Sequence, residues 1–190
     1  MRPIPARLLF FAALLALFAQ SLHGQERVLE FTPAHAEIAW TLDASMHTVH
    51  GSFDLKRGSV RFDPGTGSVN GEIVLDATSG KSGNDKRDRK MHMDVLESSR
   101  FPEIVFRPNR VDGKVLPGGT STLQVQGTFS IHGADHAMTI PVRVITTTTS
   151  WTVDTSFNVP YVEWGMKNPS NFVLRVAPQV EIKVHASGTP

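Results

Sequence analysis

Four histidines and one run of charge are the residues of this 190-residue chain whose types and spacing bear on chemistry. His47 and His50 are three apart, and His132 and His136 flank a turn-like Gly133-Ala134-Asp135. A metal site needs several imidazole, thiolate or carboxylate donors converging on one point. On a strand, a spacing of three sends His47 and His50 to opposite faces. His132 and His136 can approach each other across the turn, but the chain has no cysteine and no ordered carboxylate pattern to complete a set. These are polar or turn histidines on this reading, and no metal is expected. Asp85 and Asp88 form a carboxylate pair in a solvated, mixed-charge segment, without the burial that tunes such pairs for acid–base work. There is no G-x-S-x-G and no glycine-rich phosphate loop. Nothing in the residue pattern argues for an enzyme, and no cofactor is implied.

The charged run covers residues 81–90, with Lys81, Lys86, Arg87, Arg89 and Lys90 against Asp85 and Asp88. Read blandly, it is a solvated helix start whose ion pairs contribute little. Read more sharply, Lys86 or Arg87 stands at a pocket mouth and meets an anionic head group, for which a guanidinium fork is well shaped.

The elements that position these residues alternate with period 2. In residues 121–144, Leu123, Val125, Gly127, Phe129 and Ile131 share one face, and after the turn Met138, Ile140, Val142 and Val144 resume it. The same alternation marks residues 28–31, Ile38-Trp40-Leu42, Val49 to Leu55, a short run at Val60 and Phe62, and Val69 to Ala77. It returns at Ile104 and Phe106, at Trp151, Val153 and Phe157, and at Phe172 to Val184, where Pro178 predicts a bulge or break. Pro141 raises the same question inside the hairpin. Only residues 84–98 read as helix, with Asn84 or Asp85 as cap and Met91, His92, Val95 and Leu96 as the apolar stripe. Eight or nine strands with short loops mean antiparallel neighbours, in a closed barrel or a two-sheet sandwich. The long runs favour a single antiparallel eight-stranded barrel, with the helix plugging one end.

Residues 1–24 read as a secretory leader. Arg2 and Arg7 precede twelve uninterrupted apolar residues, too few to span a bilayer, and cleavage after Ser21 or Gly24 both suit. Residues 25–190 are then one domain, periplasmic or secreted, held without disulfides and with no stable membrane anchor. Losing the two arginines leaves 17 basic residues against 18 acidic, so the formal charge moves from +1 to −1. A near-neutral domain gives no steer toward nucleic acid.

The remaining signal is the large inner-phase side chains: Trp40, Phe53, Phe62, Phe106, Phe129, Met138, Phe157 and Phe172, with Trp164 and Met166 near an opening. They serve either a plain core or the wall of a lipid tunnel. Four segments in this order carry a family likeness: Met46 to Phe53 (MHTVHGSF), Arg87-Asp88, Phe101 to Phe106 (FPEIVF) and Gly127 to Gly133 (GTFSIHG). Together they resemble the YceI-like family of periplasmic, lipocalin-like proteins associated with polyisoprenoid binding, over roughly residues 31–184. The resemblance implies a lipocalin-like barrel and a non-catalytic carrier whose partner is an isoprenoid or other long-chain lipid. A homodimer is left open. The family's usual Phe-Gly-Ile near the last loop is Trp164-Gly165-Met166 here, a departure that reshapes one wall. The alternative is a structural or stress-related interaction module whose barrel is filled by its own side chains.

Overall fold

The computed structural model describes residues 26–189. The leader expected over residues 1–24 lies outside the described residues. Nine strands follow in order: β1 (Arg27–Phe31), β2 (Ala36–Asp43), β3 (Thr48–Phe62), β4 (Val69–Lys81), β5 (Glu103–Asp112), β6 (Thr120–Ile131), β7 (Ala134–Thr146), β8 (Trp151–Val159) and β9 (Val180–Gly188). All pairings are antiparallel, and the order β2-β9-β8-β7-β6-β5-β4-β3 closes because β3 returns to β2. β1 and β2 share one edge of β3, at residues 58–62 and 48–53 respectively, so they form a single stave broken at the 3-10 turn Pro33–His35. The molecule is thus the expected eight-stranded antiparallel barrel with one short helix, and not a sandwich.

Strand length and phase were only partly legible. Val60 and Phe62 read as a separate run, but they belong to β3, which is 15 residues long. Register shifts between Ser52 and Asp54 and between Leu55 and Arg57 insert extra residues. Such a bulge switches the inward phase, and here it moves from odd positions (Val49, Phe53, Leu55) to even ones (Val60, Phe62), all buried.

The β6–β7 turn also differs from expectation. Ile131 pairs with Ala134, so the loop is His132-Gly133 rather than 133–135. Both residues have positive φ, 52° and 77°, as a two-residue primed turn requires. Pro141 does not break β7. Its carbonyl accepts Thr155 Oγ1 at 2.6 Å on the β8 side, where the ladder begins only at Val142, so its missing N–H costs no rung. The expected interruption at Pro178 is present. No strand includes Phe172 or Leu174, Val176 makes only an isolated bridge to Ala44, and β9 starts at Val180.

The helical segment lies between β4 and β5. Asn84 caps α1 (Asp85–Lys90), accepting the Arg87 amide at 3.1 Å. The chain then widens into a π turn, Met91–Val95. His92 ties this turn down, with Nε2 2.8 Å from the Gly80 carbonyl and Nδ1 2.9 Å from Ser98 Oγ. A carbonyl only accepts, so Nε2 carries a proton and donates it to Gly80. Met91, Val95 and Leu96 are left facing the barrel.

Buried side chains form two clusters, one toward each end. The helix-end cluster includes Ile38, Trp40, Phe53, Phe129, Tyr161 and Met166. The far-end cluster is Val60, Phe62, Val69, Val111, Leu123, Ile140, Val142 and Val144. Phe31, Ile73, Phe106, Met138 and Phe157 pack against both.

Candidate functional site

The inward faces do not meet. Between them lies a cavity of about 1550 Å³, larger than the roughly 300–1,000 Å³ of ordinary small-molecule pockets. It runs the length of the barrel. At the helix end it is lined by His47, Lys86, Arg87, Met91 and Leu174, and at the far end by Arg27, Val115, Thr147 and Ser150. Between these rims the wall is nearly all aliphatic and aromatic.

Of the inner-phase residues expected there, Trp40, Phe53, Phe62, Phe106, Phe129, Phe157 and Met166 line the cavity. Met138 is on the inward face but packs into the wall. Trp164 also packs behind the lining, stacked on His136 with ring centroids 3.9 Å apart and tilted against Phe129 at 5.8 Å. Phe172 is a correction. It is fully exposed, at 101 %, because residues 171–174 form a turn rather than the strand whose phase would have carried it inward.

Trp40 faces Gly51 across the β2–β3 ladder. A Cβ on Gly51 would lie 2.2 Å from the indole and 2.3 Å from the Lys81 carbonyl, so only glycine admits the ring there. Tyr161, which sequence reading missed, lines the cavity and donates its hydroxyl to the Ala177 carbonyl at 2.8 Å. Burial pushes its phenol up to about 12, so it remains a neutral donor that pins the loop of residues 160–179. His136, a possible ligand in the sequence, also faces inward, stacked on Trp164. It pairs with Phe129 in register and shares the inward phase of Met138 and Ile140, a signal the alternation already held.

The histidines do not converge. His50 bonds Thr41 Oγ1 at 3.1 Å. His132 lies 3.3 Å from Glu97 and packs on Phe101 at 4.8 Å, while His136 is held by Trp164. Among the described residues no three metal-ligating side chains gather.

Lys86 and Arg87 both line the helix-end mouth. Arg87 is positioned by Ser82, donating Nε to its hydroxyl at 2.7 Å and Nη2 to its carbonyl at 3.0 Å. Asp88 completes the cluster by accepting the Ser82 amide at 2.9 Å and its hydroxyl. Burial raises the Asp88 carboxyl, but the Ser82 hydrogen bonds and the Arg87 charge outweigh it and leave it below the usual range. Lys86 has no ion pair among the described residues.

Fold and cavity together define a binding protein of the hollow antiparallel barrel class. A family model for the YceI-like domain matches residues 29–187, and the chain belongs to that family. Among solved structures, BcnA of Burkholderia cenocepacia is 18% identical with a TM-score of 0.68, covering 84% of this chain and 99% of that one. A polyisoprenoid binding domain from Saccharophagus degradans, implicated in plant cell wall breakdown, is 14% identical with a TM-score of 0.66, covering 86% and 98%. The YceI protein of Campylobacter jejuni is 10% identical with a TM-score of 0.57, covering 90% and 87%. At these identities the likeness is one of fold. No curated protein sequence matches the chain.

Proposed function

We propose that the protein is a non-catalytic carrier that holds a long-chain isoprenoid or similar apolar lipid inside its barrel, in the periplasm or outside the cell. The observation that carries this reading is the continuous apolar cavity of about 1550 Å³. A barrel packed solid by its own side chains, the alternative, leaves no such space. The polyisoprenoid binding named for the Saccharophagus degradans domain points the same way.

The mechanism is burial. Taking ~400 Å² of ligand surface out of water gives about 10 kcal/mol gross at roughly 25 cal/mol per Å², and immobilising a flexible chain takes back a large part. Trp40, Phe53, Phe62, Phe106, Phe129, Phe157 and Met166 form the wall. Lys86 and Arg87 meet an anionic head group at the helix-end mouth, with Ser82 holding the guanidinium ready. The test is solvent extraction of the purified protein and mass spectrometry of the extract, followed by reloading of stripped protein with a long-chain polyprenol. A stoichiometric lipid is the expected result. Protein that neither retains nor takes up any long-chain lipid overturns the reading.

A further inference from the structure

The helix-end rim carries features that holding a ligand inside the barrel does not require. Met46, Met93, Phe172 and Val173 are 71, 69, 101 and 78 % exposed. The other large hydrophobics exposed among the described residues, Val28 at 44 % and Leu116 at 52 %, lie at the far end. Isolated exposed apolar residues need no explanation, but a patch does.

These four come from three segments that are bonded into one rim. The Ser45 amide donates to the Arg175 carbonyl and the Ala177 amide to the Asp43 carbonyl, each at 2.8 Å, joining the loop of residues 160–179 to the β2–β3 turn. Lys90 Nζ donates to the Pro169 carbonyl at 3.4 Å, and Lys167 pairs with Asp94 at 3.9 Å, joining the same loop to the helical segment. Phe172 and Val173 occupy the tip of a closed turn. The Asn171 amide donates to the Leu174 carbonyl at 2.9 Å, and Asn171 Oδ1 accepts the amides of Val173 and Leu174 at 2.9 and 2.8 Å. The turn sends Leu174 into the cavity lining and leaves Phe172 and Val173 outside.

The same segments carry Lys86, Arg89, Lys90 and Arg175, none of which has an ion pair among the described residues, against the acids Asp43, Asp85 and Glu163, which likewise have none. Apolar tips among spare cations match a surface that is anionic above and apolar beneath. A second copy of the chain fits less well, because a two-fold contact through this rim sets the four cations against themselves.

We propose that the helix-end rim docks the protein, cavity mouth down, onto an anionic phospholipid bilayer. Met46, Met93, Phe172 and Val173 enter at head-group level, and Lys86, Arg89, Lys90 and Arg175 sit over lipid phosphates. Cargo then passes between bilayer and cavity without crossing water. That purpose rests on the carrier reading, whereas the docking itself is measured without cargo.

The experiment is co-sedimentation of the protein with vesicles of phosphatidylethanolamine and phosphatidylglycerol, beside vesicles of phosphatidylcholine alone. Binding to the anionic vesicles that weakens as salt rises is expected. The double variants F172S/V173S and R89A/R175A should each lower it, the second by about fivefold per cation removed, while L116S at the far end leaves it unchanged. Thermal melts of each variant establish that it is folded. Equal binding to both vesicle types that no rim variant alters overturns the proposal. So does a dimer in sedimentation velocity that the rim variants dissociate, which makes the patch a self-association surface. Vesicle binding by protein that neither retains nor takes up long-chain lipid supports docking and sinks the carrier reading, and retained lipid with no vesicle binding does the reverse.

Discussion

The two ends of the barrel are made from the same strands but differ in chemistry. At the far end the wall is mostly β-branched and aliphatic, with Val60, Val69, Val111, Ile140, Val142 and Val144 around Phe62 and Leu123. These side chains are stiff about χ1 and give a smooth surface with few shapes available to it. At the helix end, aliphatic residues such as Ile38, Leu55, Ile104 and Ile182 are joined by aromatic and sulfur-bearing ones, Trp40, Phe53, Phe129, Tyr161, Met91 and Met166. Irregular backbone is concentrated there too, in the capped helix, the π turn and residues 160–179, and cations line only that mouth in number. A wall of regular strands sets diameter and depth, whereas loops and helices at one rim add shape and charge. On the carrier reading, the far end accommodates a tail and the helix end recognises what is attached to it.

Four measurements break or sharpen that contrast. The largest effect is expected from Gly51→Val, whose Cβ meets both the Trp40 ring and the Lys81 backbone. Because a carbonyl cannot rotate away, urea denaturation should show a loss of about 3 kcal/mol, against about 1.5 kcal/mol for Val142→Ala at the far end. Equal losses would mean that the two ends are packed alike. Next comes Phe129→Ala, which removes ring contacts with Phe157 at 6.1 Å and Trp164 at 5.8 Å. A fully packed phenylalanine costs about 3–5 kcal/mol on truncation. Phe129 faces a void, so the stability loss should be smaller, near 2 kcal/mol, while retention of a polyprenol in a stripped-and-reloaded sample falls roughly tenfold, about 1.4 kcal/mol. A full-sized stability loss with unchanged retention would make it a core residue only.

Arginines line both mouths, so Arg87→Ala and Arg27→Ala form a matched pair. Affinity for a polyprenyl phosphate should fall about fivefold, near 1 kcal/mol, in the first and hardly at all in the second, with an uncharged polyprenol indifferent to both. The smallest effect is acid sensitivity of the outer wall. Hydrogen bonds from Lys56 and Arg57 lower the Glu103 carboxyl to about 2 from an ordinary 4.5. A depressed carboxylate stabilises the fold fully above its unfolded value and loses that contribution as pH falls through its folded one. The melting temperature should therefore decline modestly between pH 4.5 and 2, and Glu103→Gln should flatten part of that decline. The group is exposed, so solvent screening keeps the effect small, and neither mouth should change in ligand retention.

Much of this is legible in the sequence. Alternation identified most strands and most of the aromatic residues that line the cavity, though not Phe31, Trp151 or Tyr161, because a residue's face on a strand is a local property. A helix cap at Asn84 or Asp85 and a bulge or break at Pro178 are legible for the same reason, and the structure selects Asn84 and the break. His136 lies on the inward phase that alternation gives it, but its residue type suggests a ligand, and only the tertiary contacts make it a ring stacked on Trp164. Phe172 was misplaced because the alternation of residues 172–176 was carried on into β9, although the hydrogen bonds of Asn171 turn that segment back on itself.

What the chain's order of residues determined by itself was which side chains could face inward and where the backbone had to turn. Whether those side chains touch across the barrel or enclose a space depends on strand number, stagger and the bulges that shift phase. These follow from pairings between residues far apart in sequence, such as Ile38 with Val184, where β2 meets β9, and Ile73 with Phe106 between β4 and β5. No local pattern encodes the gap between opposite walls, so the cavity, and the gathering of cations and exposed apolar tips at one mouth, were decided only when the barrel closed.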